Sequence, residues 1–190
     1  MTDAFALRSG STKASGQNAL FASARTISTG AFDDSALEPG RAPNRSATEA
    51  EVQPGDVLVA LRGPVNSAAA MRGKLPLPVF ATLDLAVLRP HGQLDADYLA
   101  WFINLPTTQM VLAGQRVSGG VPRLPLSALA SLALSLPPLE VQRCIAAVSD
   151  LAREEARITG TLLRLRATLL QTTLSTLALQ ATQEATLCTP

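Results

Sequence analysis

The chain has 190 residues, a formal net charge of +1, 47% apolar residues and only 4% aromatics. Two cysteines and one histidine exclude a disulfide scaffold and a multi-histidine metal centre within the chain. Prolines and polar residues interrupt every long apolar run, and Asp3 and Arg8 sit where an export signal needs its apolar core, so neither a membrane span nor a secretory signal is expected.

Composition divides the chain unevenly. All seven aromatics lie at or before Phe102, and eleven of twelve glycines at or before Gly120. Twelve of thirteen prolines lie at or before Pro138. The last third is rich in Leu, Ala, Thr, Gln and Arg, which is helix composition. The expected class is α+β: a mixed, β-rich domain with short helices over 1–137, one long coiled-coil-like helix over 138–184, and a tail over 185–190.

In chain order, Phe5 and Leu7 mark a first strand within Met1–Gly10, and Gly10–Gln17 reads as a loop. Leu20–Ile27 alternates loosely, as a strand does. Thr29–Ala50, with Gly30, Pro39, Gly40 and Pro43, reads as an irregular exposed loop. Val52–Asp56 is a turn leading into the strand Val57–Arg62, broken by Gly63-Pro64. Asn66–Met71 and Val79–Arg89 read as further strands, the second bent near Asp84. The period then changes. Asp95 is an N-cap, and Tyr98, Leu99, Phe102 and Ile103 fall on one face of a helix over Asp95–Leu105. Pro106–Ala113 reads as a second short helix, Gln115–Arg123 as a loop, Pro125–Leu132 as a third helix and Leu132–Leu136 as a last strand.

From Leu139 to about Gln183 no proline intervenes. Val141, Ile145, Val148, Ile158, Leu162, Leu165 and Leu169 share one helical face, and Leu163, Leu170, Leu174 and Leu177 form a neighbouring stripe. A helix of about 40 residues is about 60 Å long and outreaches the domain that precedes it. Its stripe needs a partner helix from another molecule, or a hairpin on itself broken at Gly160.

Phosphate-binding and nucleophile-elbow glycine motifs are absent, and His91 sits in a turn-like Arg-Pro-His-Gly string. The paired acids Asp95 and Asp97 are explained by helix capping. No enzyme chemistry and no cofactor are expected. Charge is more informative locally. Between Arg62 and Arg123 six basic residues face three acids, and in the whole chain arginine outnumbers lysine 14 to 2. Arginine forks onto guanine or phosphate, which lysine does not. Arg62, Asn66, Arg72, Lys74, Arg116, Ser118 and Arg123 lie on loop-like segments suited to DNA contact. Segment 136–190 balances five basic against five acidic residues, which favours protein docking.

Three blocks carry a resemblance. Val52-Gln-Pro-Gly-Asp-Val-Leu-Val-Ala-Leu-Arg-Gly63 resembles a Leu-x-x-Gly-Asp-Ile-Leu turn and strand. Leu94–Ile103 resembles an Ile-x-Pro-x-Tyr-Leu helix. Leu134-Ser-Leu-Pro-Pro-Leu-Glu-Val-Gln-Arg-Cys-Ile145 resembles Ile-Pro-Leu-Pro-Pro-Leu-x-Glu-Gln feeding a long helix. In this order they are similar to the specificity (S) subunits of type I restriction-modification systems. Two departures stand out. Val141 separates Glu140 from Gln142, and the chain has length for one recognition domain and one helix where the family usually has two of each.

The resemblance implies a half-size, non-catalytic subunit that reads double-stranded DNA. It also implies a homodimer through antiparallel helices, in a cytoplasmic complex with a DNA methyltransferase subunit and a restriction subunit. Two alternatives stay open: a protein–protein adaptor that dimerises through its helix without binding DNA, and a fragment detached from a fused methyltransferase.

Overall fold

A computed structural model describes residues 4–10, 16–42, 51–117 and 122–187, with side chains to 180. The chain divides into two compact units, 1–146 and 147–190.

The first unit contains two four-stranded sheets among the described residues. One has the order β1-β8-β5-β6, from β1 (Phe5–Ser9), β8 (Leu85–Pro90), β5 (Val57–Ala60) and β6 (Ala68–Ala70), all antiparallel. The other runs β3-β2-β7-β4, from β3 (Glu38–Arg41), β2 (Asn18–Ala22), β7 (Val79–Ala81) and β4 (Glu51–Val52). Within it β2 and β7 are parallel.

Alternation along β5 explains the layering. Val57, Val59 and Leu61 face one core, with Tyr98, Leu99 and Ile103 of α1 (Ala96–Asn104), Leu112 of α2 (Pro106–Gly114) and Leu129 of α3 (Leu126–Ala130). Leu58 and Ala60 face a second core, with Ala22, Val79 and Ala81 of the other sheet. Covered on both faces, β5 reads as an unbroken apolar run. A small third cluster includes Phe21 and Phe80, with ring centroids 5.9 Å apart.

Several expectations need correction. The strand expected over Leu20–Ile27 ends at Ala22, and Ala24–Ile27 coils into a 3-10 turn. The expected loop over Thr29–Ala50 holds β3, which runs through Pro39 and Gly40 at a sheet edge, where a missing N–H is tolerated. Its portion 43–50 lies outside the described residues. Val79–Arg89 is two strands in different sheets, separated by the turn at Leu83-Asp84. Leu132–Leu136 has no regular secondary structure and pairs with no strand among the described residues.

The long helix α4 spans Leu139–Leu187, 49 residues, and runs unbroken through Gly160. The long helix expected over 138–184 is thus present, and the alternative of a hairpin broken at Gly160 does not hold: a single glycine costs about 1 kcal/mol, too little to end a helix of this length. The first turns of α4 belong to the first unit. The side chain of Gln142 is fully buried there: its Oε1 accepts from Asp95 N at 2.9 Å, and its Nε2 donates to Gln93 O and Pro137 O at 2.8 Å each. No helix among the described residues is long and apolar enough to cross a membrane.

Candidate nucleic-acid interface

The tight end of the β5–β6 hairpin collects loops that are far apart in sequence. Arg62 bridges Arg123, and Arg123 bridges Val117, each antiparallel, so three chain segments lie side by side. Leu124 N donates to Leu61 O at 2.8 Å and fixes their register. The β7–β8 turn joins them, because Leu61 N donates to Asp84 O at 2.8 Å. Gly63 makes the bend possible with φ of 108°, a region other residues avoid.

Three arginines converge at this end. Arg62 Nε lies 3.2 Å from Asp84 Oδ1. Arg123 Nη2 donates to Leu83 O at 3.2 Å. Arg116 donates from Nε and Nη2 to Asn66 Oδ1, at 3.1 and 2.8 Å, and from Nη2 to Pro64 O at 3.0 Å. Around them Val65, Leu83 and Val117 are exposed apolar tips. Exposed cations interleaved with apolar tips on rigid loops are what contact with phosphates and base edges requires.

The rigidity has a source that sequence reasoning missed. β6 is an edge strand, and its outward backbone groups are closed by two carboxamides. Asn104 accepts from Ala68 N at 2.9 Å and donates to Ala68 O at 2.7 Å. Gln109 treats Asn66 the same way, at 3.0 Å in each direction. Each side chain imitates a neighbouring strand for one residue. The edge is thereby satisfied and the hairpin tip is tied to α1 and α2. The signal in the sequence is two amides inside an otherwise apolar helical stretch.

The seven expected DNA contacts do not form one surface. Arg62, Arg116 and Arg123 come together as described. Asn66 is with them but fully buried, its Nδ2 donating to Ala60 O at 2.7 Å and its Oδ1 holding Arg116. It is corrected from a DNA contact to a support for Arg116. Arg72 and Lys74 follow the other, open end of the hairpin. Arg72 pairs with Asp97 at 2.9 Å, and Lys74 lines a cleft of about 500 Å³ with Glu51, Gln53 and Pro54. Ser118 lies outside the described residues.

That open end is organised around Asp56. Its carboxylate is buried and takes two 2.7 Å bonds from Arg89, through Nε and Nη2, and one of 2.8 Å from Gln53 N. The carboxylate beside it raises the pKa of Arg89 above the ordinary guanidinium value. Arg89, counted in the sequence as part of the basic excess, is thus a structural residue. Among the described residues no group of acidic, cysteine or histidine side chains is placed to hold a metal ion.

Along α4, Val148, Ile158, Leu162, Leu165 and Leu169 are all exposed. Ile145 is not part of this set: it packs against the first core of its own unit. It follows the exposed Cys144 by one position, and that offset of about 100° turns it inward.

No family model matches the chain, and no curated protein matches it in sequence. Solved structures do. A chain from a study of complex assembly and conformational transition in the type I R-M system aligns with 80% of this chain at 21% identity and a TM-score of 0.58. The HsdS subunit from Thermoanaerobacter tengcongensis aligns with 81% at 21% identity and a TM-score of 0.55. This chain has the fold of an HsdS specificity subunit. It covers 37% and 36% of the length of those two chains. The aligned part comprises one mixed α+β unit and one long helix.

Proposed function

We propose that this HsdS-like chain is a non-catalytic DNA sequence-recognition subunit of a restriction-modification complex. Two copies would read a bipartite site as a homodimer. The observation that carries the reading is the convergence of Arg62, Arg116 and Arg123 on braced loops at one end of the sheet, on a fold shared with HsdS. The partners are double-stranded DNA, a DNA methyltransferase subunit and a restriction subunit in the cytoplasm, with methylation and cleavage residing in those other subunits.

The helix supports the dimer. Val141, Val148, Glu155, Leu162 and Leu169 recur every seven residues, and Cys144, Leu151, Ile158 and Leu165 recur three residues after them. This is the spacing of a coiled-coil seam. Leu151, Leu162, Leu165 and Leu169 are each more than half exposed, a continuous apolar surface that a solvated helix does not retain without a partner. Antiparallel pairing of two such helices would set the two recognition units at opposite ends and present half-sites in inverted orientation.

Binding to duplex DNA across a salt series, with the methyltransferase present, tests recognition: log K should fall with log salt with a slope of several units. Flat dependence, or no binding, overturns it in favour of an adaptor. Light scattering tests the dimer, which should double the 19.9 kDa of one chain and revert to it when Leu162 and Leu165 are changed to Asp. Orientation is read from oxidation of a Cys188→Ser chain. Parallel in-register helices bring the two Cys144 thiols together and crosslink, whereas antiparallel helices keep them apart.

A further inference from the structure

The arginines at the hairpin end differ in what they have left to donate. A guanidinium carries five N–H groups. Arg116 directs Nε and Nη2 to Asn66 Oδ1 and Nη2 again to the Pro64 carbonyl. Both Nη2 hydrogens are thus committed, and only Nη1 remains. Arg116 can reach one phosphate oxygen but cannot offer the paired Nη1/Nη2 edge that matches O6 and N7 of guanine. Arg62 is the opposite case. Its Nε faces Asp84 Oδ1 at 3.2 Å, and among the described residues neither of its Nη groups has a partner. Arg62 and Asp84 are each 48% exposed, so the free edge is accessible. Asp84 itself is anchored, because its carbonyl accepts from Leu61 N in the residue just before Arg62.

We propose that Arg62 reads a base, that Asp84 is its positioning residue, and that Arg116 is a phosphate contact. The assignment rests on the DNA-recognition reading above and divides the labour within that site. A carboxylate at Nε does two things to Arg62. As an ion pair on the Nε side, it holds the guanidinium beside the β7–β8 turn and leaves the Nη1/Nη2 edge open. It also offsets the positive charge, so Arg62 gains little from a phosphate and loses nothing on a neutral base edge. Guanine can take both Nη donors while Asp84 keeps Nε. Asp84 therefore lowers affinity for DNA in general and preserves affinity for a matching sequence, which is how discrimination arises from a difference of affinities.

The test uses the full chain and a pool of random-sequence 30-base-pair duplexes, with fluorescence anisotropy across a salt series and sequencing of the bound fraction. The chain should enrich sequences with guanine at a fixed position. Arg62→Ala should lose that guanine and leave the salt slope unchanged. Arg116→Ala should keep the preferred sequence, weaken binding uniformly and make the slope of the dimer shallower by about 1.8, the loss of one phosphate contact in each copy. Asp84→Asn should steepen the slope of the dimer by about 1.8 as Arg62 of each copy turns to phosphate, and should flatten the guanine preference. Asp84→Glu should restore both. In an Arg62→Ala background, Asp84→Asn should change nothing.

The assignment is overturned if Arg62→Ala makes the slope shallower with the sequence preference intact. It is also overturned if Asp84→Asn acts equally with and without Arg62, which would be plain repulsion of phosphate. Binding to the pool without any sequence preference removes base reading as well. Failure of the unaltered chain to bind duplex at any salt refutes DNA recognition itself, a separate outcome. Urea midpoints from Trp101 fluorescence identify any variant that is misfolded, and Asp84→Ser then replaces Asp84→Asn.

Discussion

Replacing Asp56 with Ala should unfold the first unit more readily than any single loop substitution. The carboxylate has 1% of its side chain exposed and accepts two 2.7 Å bonds from Arg89, whose own side chain is 35% exposed. It also takes the Gln53 amide at 2.8 Å and lies 3.7 Å from Arg8 Nη2. Removing one partner of a buried pair costs about 3–5 kcal/mol, because the remaining charge is left without compensation. Water reaches part of Arg89, so the lower end applies, about 3 kcal/mol. A domain of this size loses about 3 °C per kcal/mol, so the midpoint should fall by roughly 10 °C. Trp101 is the sole tryptophan and sits on α1 in this unit, so its fluorescence reports unfolding here and not in the rest of α4. A midpoint shift below about 3 °C would refute the reasoning. So would a double-mutant cycle with Arg89→Ala showing coupling under about 0.5 kcal/mol, since the pair would then not be the source of the loss.

Three further outcomes follow from packing and hydrogen bonding. Gly10→Ala should destabilise by about 3 kcal/mol in urea titration, because a Cβ there would stand 1.8 Å from the backbone oxygen of Thr82. Asn104→Ala should cost about 2–3 kcal/mol by stripping both partners from Ala68; hydrogen exchange at the Ala68 amide should accelerate, and no acceleration would refute the edge-closing role. Tyr98 is the alkaline reporter. Burial raises its pKa above 10.0, and its hydroxyl donates to Ser135 O at 2.9 Å. The folded state therefore holds the proton more tightly than the unfolded chain. Tyr98 contributes fully below pH 10 and loses its contribution as pH rises through the folded value. Stability should fall above pH 10 in the native chain, and Tyr98→Phe should remove that decline at a cost of about 1 kcal/mol below it.

The helices were legible in the sequence for local reasons. Asp95 caps α1 by accepting from Tyr98 N at 3.0 Å, and Pro106 opens α2, both short-range signals. The strand Val57–Ala60 was legible because two covered faces leave an apolar run. The division of Val79–Arg89 was not, because both halves are apolar and the choice of sheet is made by distant partners, β2 for one half and β1 with β5 for the other. The site shows the same limit. Arg62, Arg116 and Arg123 were identified by residue type and loop context. Their convergence depends on a register between segments some sixty residues apart, and no local pattern encodes it. Asp84 was noted as a bend in a strand and one acid in the local charge balance, and Asn66 was placed with Arg62, Gly63 and Pro64 on a loop-like segment suited to DNA contact. Its buried side chain is held by Ala60 O and by Arg116, fifty positions away.

Arginine alone therefore does not mark the reading surface; what each guanidinium faces does. At the open end of the hairpin Arg89 meets a buried carboxylate and Arg72 an acid at 2.9 Å, so both are neutralised where they stand. At the tight end Arg116 and Arg123 meet neutral oxygens, those of Asn66, Pro64 and Leu83, which orient a guanidinium without cancelling its charge. Only Arg62 there meets a carboxylate. Two uncancelled charges per copy at this end, among the described residues, set a quantitative expectation. At about 0.9 per phosphate, one copy should show a salt slope near −2 and bind weakly at physiological salt. Two copies joined through α4 on one duplex should approach −4. On the proposed reading the near-neutral total charge and the exposed apolar helix belong together: a single unit would have too few contacts to hold DNA, and pairing through the helix would double them. A slope near −2 for the assembled dimer would mean that only one recognition unit engages at a time.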